Sequence, residues 1–397
     1  MGGGLWHHRL RDRDQDRCPG TPGDRRVGHP RPRRLTRVSP ARGSRLAQGI
    51  GLVTGIAALT AGAVATGWEL ERRVVGQKLA KRRELPAEAF FTLRAPGPEV
   101  VTPDGVRLHV EVDEPGPDAD PEAVTVVLVH GYVLSLHCWH FQRKHFRGSR
   151  KVVLYDQRSH GRSSRSKPRF CRISQLAKDL KRVLDATTEP DEKVVLIGHS
   201  MGGMTIQQFA RQYPKLIGTK VVGAGLLATS SGNLAQHSIV PGISGELFPR
   251  LAEPILSVTN RIPALIERSR RVSTDVSFVI TRRMGYGSQV PAEYVDFLSE
   301  MVASTPMEVV ADFYPAFAEF DGRRSMPVLS RIETAVIGGE KDSIVPVEHT
   351  DRIIEQLPGA DSLIVPDSGH MGIVEHHQAY NEVLDHLVER AERKHAG

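Results

Sequence analysis

The chain has 397 residues, 40% of them hydrophobic and 25% charged, which excludes a fibrous or wholly disordered protein and allows one large domain with appendages. The net charge of +7 is uneven: residues 1–45 carry 12 Arg and 4 Asp, a net of +8, so the rest nets −1 and offers nucleic acid no basic body. Three cysteines, Cys18, Cys138 and Cys171, give neither a disulfide framework nor a zinc spacing, and a Cys138–Cys171 pair stays open.

Residues 1–45 are rich in Arg, Gly and Pro with almost no apolar periodicity, and read as a disordered basic arm. No motif in it points to a specific nucleic-acid partner. From Leu46 to Trp68 no side chain is charged. Twenty-three helical residues reach about 34 Å, enough for a hydrocarbon core of about 30 Å, so residues 46–68 read as a single membrane-spanning helix. A secretory signal core and a buried or interfacial helix are the competing readings. Lys and Arg lie on both sides, so the orientation stays open. Residues 69–90 read as a charged helical stalk.

From residue 91 onward, short β-branched runs alternate with amphipathic helices. The turn Asp104-Gly105 lies between Val100–Val101 and Arg107–Val112 and predicts an antiparallel leading hairpin. Strands are predicted at Val124–Val129, Val152–Tyr155, Val194–Ile197, Val221–Leu227, Thr334–Ile337 and Ser362–Val365. Continuous apolar runs of this length suit a parallel sheet covered on both faces. Helices are predicted at Ile173–Leu184, Gly202–Tyr213, Glu348–Leu357 and from about Ile373 to Ala391. The alternation predicts an α/β fold with a mostly parallel, doubly wound sheet, built from residues 91–230 and 331–397. Residues 231–330 hold no convincing strand. Apolar helical patterns there are punctuated by prolines 241, 249, 254, 263, 291, 306, 315 and 327, and predict a helical cap inserted before the Thr334–Ile337 strand.

The strand Val194–Ile197 runs into Gly198-His199-Ser200-Met201-Gly202, and a helix follows. Strand, G-x-S-x-G and helix together make a nucleophile elbow, with Ser200 as the nucleophile. Gly198 and Gly202 are expected because so sharp a turn leaves no room for side chains there. A nucleophilic Ser needs a base, and the base needs an orienting carboxylate later in the chain. Asp342 follows Thr334–Ile337 in the sequence Gly-Gly-Glu-Lys-Asp, with Glu340 as its local rival. His370 follows Ser362–Val365, with Asp367 read as a solvated turn residue and His376 and His377 as exposed helical positions. The oxyanion donors are expected to be the backbone N–H groups of Met201 and Tyr132, the latter after Gly131 in the loop behind Val124–Val129.

Five segments carry a resemblance: VLVHGY (127–132), YDQRSHGRSS (155–164), LIGHSMGG (196–203), IGGEKDSIVP (337–346) and PDSGHMGIVEH (366–376). Together they resemble the α/β-hydrolase superfamily over about residues 95–390, and the elbow is similar to that of lipase- and monoacylglycerol-lipase-like esterases. Ser159 stands where that family usually has Gly. The resemblance implies hydrolysis of a carboxylic ester through an acyl-enzyme on Ser200, with His370 as base and Asp342 as its orienter. It implies no metal and no organic cofactor. Placement beside a membrane segment suggests a lipophilic or lipid-like ester. Perhydrolysis, thioester, amide or carbon–carbon hydrolysis and acyl transfer would use the same triad, and a catalytically silent binding module would reuse the fold. The oligomeric state is open.

Overall fold

The computed structural model describes residues 88–234 and 278–395. The basic arm, the apolar run 46–68 and most of the stalk lie outside the described residues. Among the described residues no helix is long and apolar enough to cross a membrane.

Short strands β1 (Val100–Val101) and β2 (Arg107–Leu108) pair antiparallel across the Asp104-Gly105 turn. The expected second arm of that hairpin divides after Leu108. Its continuation, β3 (Val110–Asp113), pairs instead with β5 at the edge of the main sheet. The other strands are β4 (Thr125–Val129), β5 (Val152–Tyr155), β6 (Val194–His199), β7 (Val221–Leu227), β8 (Glu333–Gly339) and β9 (Asp361–Val365). The order across the sheet is β3-β5-β4-β6-β7-β8-β9, with β3 antiparallel and all other pairs parallel.

Strand periodicity fills both faces. Val126, Leu128, Val195 and Ile197 enter one apolar core, while Val127, Val129, Val194 and Leu196 enter the other. Helices α1 (His140–Phe146), α8 (Gly372–Glu375) and α9 (His377–His395) cover the first face; α2 (Ile173–Thr187), α3 (Met201–Gln212) and α7 (Val347–Gln356) cover the second. The helix expected from Ile373 to Ala391 is two helices, broken at His376, whose φ is −125°.

Of the segment between β7 and β8, residues 235–277 of the expected cap lie outside the described residues, and the described part holds helices at residues 278–285, α4 (Ala292–Ser304), α5 (Met307–Glu319) and α6 (Met326–Leu329). Pro291 and Pro306 immediately precede α4 and α5, where a missing N–H costs nothing. Pro315 lies inside α5 rather than ending it. Phe313, Ala316 and Phe317 bury on both sides of it, in a third core with Met201 and Met204 of α3, and that packing outweighs one lost helical bond. Cys138 and Cys171 are buried free thiols in different cores, so they do not pair.

Candidate active site

β6 ends at His199 and α3 begins at Met201, so Ser200 makes the turn by itself. Its φ of 54° and ψ of −115° are strained for a residue with a side chain. Backbone bonds hold it there: its N–H donates to the Leu227 carbonyl at 2.9 Å, and its carbonyl accepts the Thr229 hydroxyl at 2.7 Å. Space is the second constraint. A Cβ on Gly198 would stand 2.5 Å from the Gly202 carbonyl carbon, and one on Gly202 would stand 2.0 Å from the Val129 carbonyl oxygen.

β4 and β6 are neighbours in register, Val129 beside Gly198, so the loop after β4 lies against the elbow. A Cβ on Gly131 would be 3.2 Å from the Ser200 Cβ and 2.8 Å from His199 Nδ1. Among the described residues the backbone N–H groups of Tyr132 and Met201 have no hydrogen-bond partner. Ser200 and Tyr132 open onto the same cavity. Met201 is fully buried at the N-terminus of α3, where the helix dipole favours negative charge.

Asp342 and His370 follow the C-terminal ends of β8 and β9, on the same rim of the sheet. Asp342 Oδ1 accepts the N–H groups of Ile344 at 2.9 Å and Val345 at 2.8 Å, which turns Oδ2 toward His370 Nδ1 at 2.8 Å. Both side chains are buried. A proton on Nδ1 satisfies that contact and leaves Nε2 as a lone pair. Glu340 is exposed and takes no part in this contact. Asp367 is exposed and pairs with Lys341 at 2.5 Å, outside the group.

Ser200 and His370 line one cavity of about 330 Å³. Leu134, Met204, Leu298, Val310, Phe317 and Ile344 are among its walls. No Asp, Glu, Lys or Arg lines it among the described residues.

Two residues that hold the site, His199 and Glu375, and one contact of Tyr132 had no place in the sequence reading. His199 Nε2 sits 2.9 Å from the His370 carbonyl oxygen and ties the elbow to the histidine loop. Burial holds its imidazole down to about 3, with His370 adding to the effect, so it is neutral and Nε2 carries the proton. Glu375, five residues after His370, accepts the N–H of Gly369 at 2.7 Å and those of Gly287 and Ser288. It thereby joins the histidine loop to the segment inserted after β7. The Tyr132 hydroxyl donates to the Val310 carbonyl of α5 at 2.5 Å. The positions in G-H-S-x-G and G-H-x-x-x-x-E were the only signal for the first two. His376 and His377, expected to be exposed, are half-buried, and His377 stacks on Phe141 at 3.9 Å.

Residues 124–377 match the family model described as the alpha/beta hydrolase fold. A monoacylglycerol lipase of Mycolicibacterium smegmatis is 25% identical over 72% of this chain and 90% of its own length. The structure of a thermophilic esterase from Thermogutta terrifontis superposes with a TM-score of 0.57 at 24% identity, over 76% of this chain and all of that one. A bromoperoxidase from Bacillus anthracis superposes equally, with a TM-score of 0.57 at 19% identity, over 73% of this chain and 98% of that one. The last two likenesses concern the fold. With residues 124–377 matched, the chain belongs to the alpha/beta hydrolase fold family.

Proposed function

We propose that the protein is a serine hydrolase that cleaves carboxylic esters of lipophilic acids through an acyl-enzyme on Ser200. The Ser200 hydroxyl attacks the ester carbonyl, and His370 Nε2 takes its proton. Asp342 keeps the other ring nitrogen protonated and steadies the imidazolium that forms. The N–H groups of Tyr132 and Met201 receive the developing oxyanion. His370 then returns the proton to the leaving alkoxide. Water repeats the sequence on the acyl-enzyme and frees the acid.

One observation carries the reading. A strained serine and an imidazole already bonded to a buried carboxylate share an apolar cavity, beside two backbone N–H groups with no partner among the described residues. The cavity suggests the substrate. About 330 Å³ lies near the small end of ordinary ligand pockets, roughly 300–1,000 Å³, and no Asp, Glu, Lys or Arg is among the described wall residues. That favours an uncharged ester with a short to medium acyl chain, and the lipase among the relatives points the same way.

The test is a series of p-nitrophenyl esters of increasing chain length, with fluorophosphonate labelling of the same protein. Wild type should label at Ser200, and turnover should peak at intermediate chains. Ser200→Ala should lose labelling and at least about 10³ of the rate. Full activity in that variant would end the proposal. We read residues 46–68 as its membrane anchor. The full-length protein should then stay with membranes through a carbonate wash, and release into the wash would count against the anchor.

A further inference from the structure

We propose that Tyr132 is a positioning residue through which the helices inserted after β7 set the oxyanion hole, so that the hole exists in working form only while α5 is docked. The inference rests on the triad reading above and extends it to a side chain with no chemical step of its own.

Three observations converge on the loop after β4. First, Val133 has φ 54°. A β-branched residue rarely adopts that conformation, and it persists only where the surroundings impose it. Second, apart from the His160 ring, 6.0 Å from that of Tyr132 in the loop after β5, the contacts come from the inserted helices. The Tyr132 hydroxyl donates to the Val310 carbonyl of α5 at 2.5 Å, and the Thr305 hydroxyl, between α4 and α5, reaches the Val133 carbonyl at 3.4 Å. The Tyr132 ring also meets Phe317 of α5 edge-on at a centroid distance of 5.0 Å. The loop's own closing bond, Leu134 N–H to the Gly131 carbonyl, is long at 3.4 Å. Third, the N–H that would serve the oxyanion belongs to Tyr132 itself. Rotation of the 132–133 peptides away from this geometry would turn that donor out of the cavity.

A side chain that bonds to α5 and the backbone N–H assigned to the oxyanion therefore sit on one residue. The Tyr132 phenol is half-buried, and that burial raises its pKa well above the usual range, so it remains a donor at all working pH values. The hydroxyl contributes through the loop: no proton leaves it, and it need not touch substrate.

The experiment compares Tyr132→Phe with wild type, each alone and on a Val133→Gly background. Glycine adopts φ 54° without steric cost, so on that background the loop no longer needs α5 to hold it. We expect Tyr132→Phe alone to lower kcat about tenfold or more, with KM changed less than about threefold. Fluorophosphonate labelling of Ser200 should slow in parallel. On the Val133→Gly background the same change should cost less than about threefold. A purely structural tyrosine would lower thermal stability without this split, and glycine would not compensate for it. Full kcat in Tyr132→Phe, or an equal loss on both backgrounds, would overturn the proposal. If wild type does not label at Ser200, the triad reading falls and takes the proposal with it. Labelling at Ser200 that is indifferent to Tyr132→Phe sinks the coupling alone.

Discussion

Gly202 shows how little freedom single positions have at the elbow. Any side chain there would meet the Val129 carbonyl oxygen at 2.0 Å, and that oxygen belongs to a paired strand that cannot retreat. Gly202→Ala should therefore cost about 3 kcal/mol or more, and melting should fall by several degrees. A variant melting with wild type would show that the elbow yields. Asp342 is constrained by hydrogen bonds instead. In Asp342→Asn the amide oxygen can still accept the Ile344 and Val345 N–H groups, but its NH₂ would face His370 Nδ1. That contact favours the tautomer with the proton on Nε2, which cannot act as a base toward Ser200. We expect kcat to fall by about 10³–10⁴ with KM nearly unchanged. A loss under tenfold in steady-state kinetics would remove Asp342 from its assigned place. Ser159, in the left-handed region at φ 66°, is a departure readable in the sequence. Its Oγ accepts the Ser166 N–H at 2.9 Å, a bond that glycine could not make and that offsets part of the strain.

At the scale of elements, the sheet strands were legible because their burial is uniform. Val152–Tyr155 and Val221–Leu227 are apolar at every position and buried at every position, as a doubly covered parallel sheet requires. Helix α1 was not legible, for the opposite reason. His140, Gln142 and Arg143 look like surface residues, yet all three are buried. Arg143 is neutralised by Asp113 at 2.7 Å and Glu111 at 2.6 Å, and Gln142 donates to the Ile373 carbonyl and to Asn381. Pattern reading assigns such residues to solvent because their partners are distant in the chain. The same holds for Glu375, whose side chain is fully buried among N–H groups from two segments. Glu375→Ala would leave the Gly287, Ser288 and Gly369 N–H groups without their acceptor. Each lost charge-assisted bond costs about 1.5–3 kcal/mol, so stability should drop by about 3 kcal/mol or more. The histidine loop would lose its register as well, and kcat should fall with it. Unaltered melting and kcat together would contradict this account.

Across the whole molecule, the loops at the C-terminal rim are held by imidazoles that must stay neutral. His130 accepts the Gln157 N–H at 2.8 Å, His160 contacts the Arg158 carbonyl at 2.9 Å, and His199 contacts the His370 carbonyl at 2.9 Å. All three are buried, and burial holds their imidazoles down to about 3, about 4 and about 3 respectively. In the unfolded chain each titrates near 6.5. As pH falls below about 6.5 the unfolded state therefore takes up protons that the folded state refuses, and stability declines; above that pH the full stabilisation is present. Each histidine contributes a slope of about 1.4 kcal/mol per pH unit. Asp156 acts in the opposite sense between about 4 and 6, because burial raises its carboxyl to about 6, and it offsets roughly one of the three protons. From these four groups the expectation is a loss of about 3 kcal/mol per pH unit between pH 6 and pH 5, measured as the urea midpoint at fixed ionic strength, and His137, held down to about 4 chiefly by burial, adds to it in the same sense. His160→Asn, which can keep a donor toward the Arg158 carbonyl, should flatten that slope by about one proton. A midpoint that holds steady from pH 7 to pH 5 would mean that these histidines accept protons in place, and that the rim tolerates charge where the packing shows none.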